Sequence, residues 1–188
     1  MRFLLFGLAL YLTTPAQAQL TPPALKPIIG ARHPALSPDG QRLAFVYRGD
    51  IWLAASKGGR ARPLTFHLEY DAYPVFSPDG HWIAFASRRH GQWDIFVIPA
   101  EGGQARRLTW HSGHEIPFGW SPDGQHIAFG ARRDSPRYCL MSVEVSTYKS
   151  RVLVEDYAAL RYPRWSPDGK TLLYTRYGMP WYRPRYRG

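Results

Sequence analysis

One four-residue phrase is written four times in this chain, as Ser37-Pro38-Asp39-Gly40, Ser77-Pro78-Asp79-Gly80, Ser121-Pro122-Asp123-Gly124 and Ser166-Pro167-Asp168-Gly169. Successive copies lie 40, 44 and 45 residues apart. A recurring period of this length marks a repeat architecture, and the propeller blade leads the candidates. The phrase also has a local reason. Proline presets φ at about −65° for the second position of a type I turn, Asp tolerates the third, and Gly takes the following positive φ without a Cβ clash. Asp39, Gly40, Asp79, Gly80, Asp123, Gly124, Asp168 and Gly169 are therefore expected to be structural turn residues, with a strand entering and a strand leaving each turn.

After each turn, bulky residues stand two apart: Leu43/Phe45, Ile83/Phe85, Ile127/Phe129 and Leu172/Tyr174. A small residue separates them in three copies (Ala44, Ala84, Ala128), and Leu173 is the exception. Period-two strands that are apolar on both sides fit sheets covered on both faces, as stacked blades are. Blade one is expected over about 33–66, blade two over 73–109, blade three over 116–155, and an incomplete blade four over 161–188. The fold class is all-β, a partial β-propeller of about three and a half four-stranded blades. The predicted fourth strands of the first two blades are 61–66 and 105–109. Because an open end leaves a blade face bare, the reading expects either self-association or C-terminal domains outside this chain.

The run Pro-x-Phe-Ser-Pro-Asp-Gly-x-x-Ile-Ala-Phe, then Asp-Ile-aromatic-Val-x-Pro-Ala-x-Gly-Gly, then Arg-Leu-Thr, carried almost completely by residues 74–109, resembles the TolB/tricorn type of WD-like repeat. Residues 34–65 match it too, while blades three and four match chiefly at their turns. The segment from Arg107 to Ser112, running on into Gly119-Trp120-Ser121-Pro122-Asp123-Gly124, is similar to the N-terminal propeller of tricorn-like serine peptidases of the C-terminal-processing type. Tyr177-Gly178 followed by Trp181 adds to that likeness. The resemblance implies a propeller that filters or channels peptides, with the catalytic Ser and His in later domains. No position here matches those catalytic motifs, so no catalytic residue is assigned.

Residues 1–18 read as a secretory signal: Arg2, an apolar run from Phe3 to Leu12, and a small-x-small site at Ala16-Gln17-Ala18. That run is about half of the roughly 20 residues that a spanning helix needs. The mature chain is expected to start at Gln19 and to be periplasmic or secreted, with no membrane span after signal removal. Residues 19–32 are a Pro-rich lead-in, either a linker or a strand for another blade. The hydrophobic share of 45% argues against disorder. The single Cys139 cannot form an internal disulfide, and its apolar neighbours mark it as a core residue. Arg48-Gly49-Asp50 reads as a hairpin, because blade two has the same hairpin without that triplet.

Several motifs invite chemistry and fail on geometry. Gly119-Trp120-Ser121-Pro122-Asp123 resembles a nucleophile elbow, but Asp123 replaces the second Gly, and the repeat makes this a strand-to-strand turn. His111-Ser112-Gly113-His114-Glu115 has neither spacing of the zinc-peptidase motifs, so no metal and no cofactor is assigned. A softer constellation remains. His67, Glu69 and Asp71 lie between blades one and two, and His111, His114 and Glu115 between blades two and three. Repeat symmetry puts both loops on one face near the axis, as a candidate ligand-binding group set against the plainer reading of solvated or mutually paired loop residues. Twenty-four Lys+Arg against 14 Asp+Glu leave a net charge of +10. Export disfavours nucleic acid as the partner, so the basic balance points to an anionic envelope surface or an acidic peptide or protein. The functional expectation is a non-catalytic extracytoplasmic module binding protein or peptide. The alternatives are a TolB-like envelope interaction protein and an enzyme using a metal/His-acid cluster on the propeller face.

Overall fold

The computed structural model describes residues 26–133 and 137–177. The signal-like segment and the basic tail after Tyr177 lie outside the described residues. Fourteen strands are present among those described, in antiparallel sheets whose neighbours follow chain order. Blade one is β1 (Arg32–Leu36), β2 (Arg42–Tyr47), β3 (Asp50–Ala55) and β4 (Arg62–Pro63). Blade two is β5 (Asp71–Phe76), β6 (Trp82–Ser87), β7 (Asp94–Pro99) and β8 (Arg106–Arg107). Blade three is β9 (Glu115–Trp120), β10 (His126–Ala131), β11 (Tyr138–Glu144) and β12 (Ser150–Asp156), and the two-stranded fourth blade is β13 (Ala159–Trp165) and β14 (Leu172–Tyr177). The expected partial propeller is what forms. No helix among the described residues is long and apolar enough to cross a membrane.

Each Ser-Pro-Asp-Gly turn closes on itself. The Gly N–H donates to the Ser carbonyl at 2.8–2.9 Å in all four copies. The Ser hydroxyl donates to its Asp carboxylate and accepts the N–H five residues on, at 2.9 Å, while the same carboxylate oxygen accepts the N–H two residues on. These bonds hold all four carboxyls below the usual carboxylate range, the Ser donor first among the causes. Gly80 has φ +71°, and a side chain there would meet Arg42 at 3.0 Å and Pro38 at 3.7 Å, so the turns of neighbouring blades nest into one another.

Blade contacts follow the period of two. In β6, Ile83 and Phe85 face blade one while Ala84 faces blade three; in β7, Phe96 and Ile98 face blade one while Ile95 and Val97 face blade three. Each of these large side chains contributes about 1.5–3 kcal/mol by leaving water. The small position of the repeat faces the following blade: Ala44 is packed toward blade two and Ala84 toward blade three. Leu173 holds the same position in blade four and is 74% exposed. At the other end, Phe45 and Trp52 turn away from blade two, and Lys26, Pro27 and Ile28 share a cleft with them. Of the lead-in, residues 26–31 form no strand, and Arg32 opens β1.

The fourth strands of the first two blades are much shorter than the sequence pattern predicts. The hydroxyl of Thr65 accepts the Ile51 N–H, and that of Thr109 accepts the Ile95 N–H, each at 2.9 Å. A side chain thus takes the place of a backbone acceptor, and the ladder ends two residues before each Thr.

Candidate functional site

The first strands of successive blades neighbour one another, β1 with β5, β5 with β9 and β9 with β13. They form the inner ring of the propeller, and their free edges face the axis. An edge needs protection from stray pairing, and Pro supplies it by removing a donor. Each inner strand carries one: Pro34, Pro74, Pro117 and Pro163.

The residue four places before each turn's Gly-closing phrase begins, counted from its Ser, is where the strands bulge. His33, Tyr73 and Tyr162 stand there at φ +49°, +56° and +52°, a left-handed conformation that costs a bulky residue about 1–3 kcal/mol. The pairing register slips at each of these points. In blade three the equivalent residue is Pro117, whose ring forbids positive φ, and its slip falls at the adjacent pairing step.

These bulges turn rings toward the axis. His33, Pro34, Tyr73, Pro74, Val75, Ile116, Pro117, Phe118, Arg161, Tyr162 and Arg164 line a groove of about 450 Å³, within the roughly 300–1,000 Å³ of small-ligand sites. The rings of His33 and Tyr73 are 4.1 Å apart, and Tyr73 meets Trp93 edge-on at 6.0 Å. Burial, and then Arg32, push the His33 imidazole below its ordinary pKa, and its Nδ1 has no hydrogen-bond partner among the described residues. Two inter-blade bonds fix the wall: Trp120 Nε1 donates to the Val75 carbonyl at 3.1 Å, and Arg164 Nη1 to the Phe118 carbonyl at 3.3 Å. No carboxylate lines the groove, whereas two arginines do. Phe118 lies over Gly130, where a Cβ would stand 2.6 Å from its ring.

The six residues singled out in the inter-blade loops divide into two kinds. Asp71 and Glu115 open β5 and β9, are fully buried, and pair with Arg89 at 2.8 Å and Arg133 at 2.6 Å. These pairs pin the upper ends of the inner strands. Asp94, equally buried, pairs with Arg107 at 2.9 Å, yet burial still pushes its carboxyl above the usual range. Burial likewise raises Asp50, and the nearby Asp71 adds to the effect. His67 and Glu69 are exposed, with His67 Nδ1 accepting the Glu69 N–H at 3.0 Å. His111 Nδ1 accepts the Gly113 N–H at 2.9 Å, and His114 Nδ1 the Trp93 N–H at 3.3 Å. Among the described residues no three His, Cys, Asp or Glu side chains converge as metal ligands. Ser121 is buried with its hydroxyl committed to the turn. Cys139 is buried, and burial pushes its thiol up.

Comparison with known proteins agrees with this architecture. The family described as the tricorn protease N-terminal β-propeller domain matches residues 31–188, which include every described strand. The chain belongs to this family. A TolB structure from Agrobacterium tumefaciens superposes with a TM-score of 0.69 at 24% identity, covering 77% of this chain and 53% of that one. The tricorn protease itself superposes with a TM-score of 0.57 at 26% identity, over 65% of this chain and 13% of its own. An uncharacterized peptidase, YuxL, of Bacillus subtilis (strain 168) is 34% identical over 74 residues, 34% of this chain and 11% of the peptidase. The tricorn-type propeller described here therefore spans a small part of both peptidases and about half of the TolB chain.

The groove was not singled out from sequence. The available signal was the pairing of a ring with the following Pro, His33-Pro34, Tyr73-Pro74 and Tyr162-Pro163, at one place in three repeats. The ion pairs had a signal too, in the doublets Arg88-Arg89 and Arg132-Arg133, each 18 residues beyond its carboxylate.

Proposed function

We propose that this propeller is a non-catalytic, extracytoplasmic binding module for protein or peptide, that the axial groove is where the ligand lies, and that the module serves a tricorn-like peptidase whose catalytic residues are elsewhere. The observation that carries the reading is the strained trio. His33, Tyr73 and Tyr162 hold the same costly backbone state in three blades and place their rings along one groove. Strain persists where surrounding structure enforces it, and it gathers at ligand sites. Proline and aromatic surfaces suit an extended peptide. Arg161 and Arg164 favour a ligand with net negative charge. Export is supported by the signal-like N-terminus, and the peptidase connection by the family and by the two peptidases that share its repeat. His67, Glu69, His111 and His114 belong to the rim of the same module, where they would meet the flanks of a bound chain.

The test is fluorescence anisotropy of labelled, unstructured octapeptides with free termini, titrated with the full chain and with Tyr73→Ala, Tyr162→Ala and Arg164→Gln. Saturable binding that weakens in these variants, with unchanged far-UV circular dichroism, is expected. Binding that ignores all three would remove the groove from consideration.

A further inference from the structure

A second feature lies on the outer side of the molecule, between the last strand of blade two and the β11–β12 turn of blade three. The Arg106 guanidinium lies over the Trp82 ring at 5.8 Å and over the Tyr148 ring at 5.6 Å. Tyr148 meets Trp110 edge-on at 5.8 Å, and Arg107 lies over Trp110 at 5.7 Å. Three aromatic and two cationic side chains thus form one connected row, drawn from β6, β8 and two loops. Trp82, Tyr148 and Trp110 are 37%, 37% and 59% exposed.

The two arginines differ in a telling way. Arg107 is committed, paired with buried Asp94 and donating through Nε to the Thr109 carbonyl at 2.7 Å. Arg106 is exposed, and no carboxylate among the described residues comes within ion-pair distance of it. Contact with two rings restricts the side chain, and a planar guanidinium suits a bidentate carboxylate fork. Trp, Tyr and Arg are also the residue types that dominate binding energy at protein interfaces.

We infer that the Trp82–Arg106–Tyr148–Trp110 ladder is a second docking surface, which takes an acidic segment of a partner protein through a carboxylate on Arg106 flanked by apolar contact with the rings. Charge complementarity selects this occupant. The free cation of the ladder and the chain's excess of 24 basic over 14 acidic residues both call for a negative partner. A membrane surface is a poorer match, because Trp82 and Tyr148 are each only 37% exposed and present little ring to insert into a headgroup layer as interfacial aromatics do. The surface is separate from the axial groove and shares no residue with it.

The experiment titrates the full chain with an end-blocked decapeptide of alternating Glu and Tyr, followed by isothermal calorimetry, beside the same peptide with Gln for Glu. Saturable, salt-sensitive binding of the Glu peptide alone is expected. Arg106→Gln and Trp110→Ala should each weaken it about tenfold or more, as hot-spot truncations do. Arg60→Gln, which removes an exposed charge elsewhere, should leave it within about twofold of the parent. Equal losses in Arg60→Gln and Arg106→Gln would reduce the effect to net charge and overturn the inference. Loss in Arg164→Gln alone would overturn it while supporting the axial groove. Absence of binding would refute it, as would Arg106-dependent binding to phosphatidylglycerol vesicles without binding to the peptide.

Discussion

Removing one hydroxyl from the end of blade two tests how the blades are closed. In Thr109→Val the side chain keeps its shape, but the Ile95 N–H loses the acceptor it now has at 2.9 Å in a fully buried setting. Water cannot replace that acceptor, because Thr109 is 2% exposed and Ile95 is 0% exposed. Leaving such a donor unmet costs about 1–3 kcal/mol. In a domain of this size, each kcal/mol lowers the melting temperature by about 2–4 °C, so thermal or urea unfolding should register a loss of several degrees. Thr109→Ser keeps the hydroxyl and gives up only a methyl, and should cost about 1 kcal/mol or less. Thr65→Val is an internal replicate, since Thr65 accepts the Ile51 N–H at the same distance in blade one. The reasoning fails if both Val variants melt within a degree of the parent, or if the Ser variant is as damaged as the Val variant.

Other expectations follow from the same geometry. Gly130→Ala would place a Cβ 2.6 Å from the Phe118 ring; overpacking of this kind costs about 1–3 kcal/mol, and the displaced ring should weaken peptide binding in the groove by anisotropy. Glu115→Ala strips Arg133 of its buried partner, and breaking such a pair costs up to about 3–5 kcal/mol; because Arg133 is 26% exposed and can turn to water, the denaturation loss should fall at the lower end. Acid titration has two opposing contributions. Asp39, Asp79, Asp123 and Asp168 have lowered pKa values, as does Asp156, brought down to about 2 by Arg176, so their stabilisation is full above the ordinary carboxylate pKa and is lost as pH falls through the folded values. Asp50 and Asp94 have raised values, so their ionised forms oppose folding, and acidification relieves that cost as pH falls through their folded values. Asp94→Asn should therefore remove a stabilising rise on acidification, read as a changed slope of melting temperature against pH just above the ordinary carboxylate range.

Much of the fold could be read in the sequence because it rests on local chemistry repeated four times. A Ser, a Pro, an Asp and a Gly close each turn with bonds that reach no further than five residues. The apolar pairs two apart then assign strand faces without knowledge of the partner blade. The site was less legible. His67, Glu69, Asp71, His111, His114 and Glu115 were chosen for their chemistry near the expected axis, but the sequence does not say which acids are buried. Asp71 and Glu115 find arginines 18 residues away, across a hairpin, whereas His67 and Glu69 bond within their own loop. The groove depends on positive φ at His33, Tyr73 and Tyr162, a backbone state that no propensity assigns to an aromatic residue followed by Pro. The outer ladder joins residues 82, 106, 107, 110 and 148 across two blades, a set with no sequence period to reveal it.

The central claim is that ligand lies along the inner strands. Hydrogen exchange of the full chain, followed by mass spectrometry with and without a saturating octapeptide identified by anisotropy, tests it directly. The account predicts slower exchange in the segments 32–36, 71–76, 115–120 and 159–165, with segments 41–60 unchanged. Protection confined to the outer strands, or to the loops at one end with the inner strands unchanged, would contradict it.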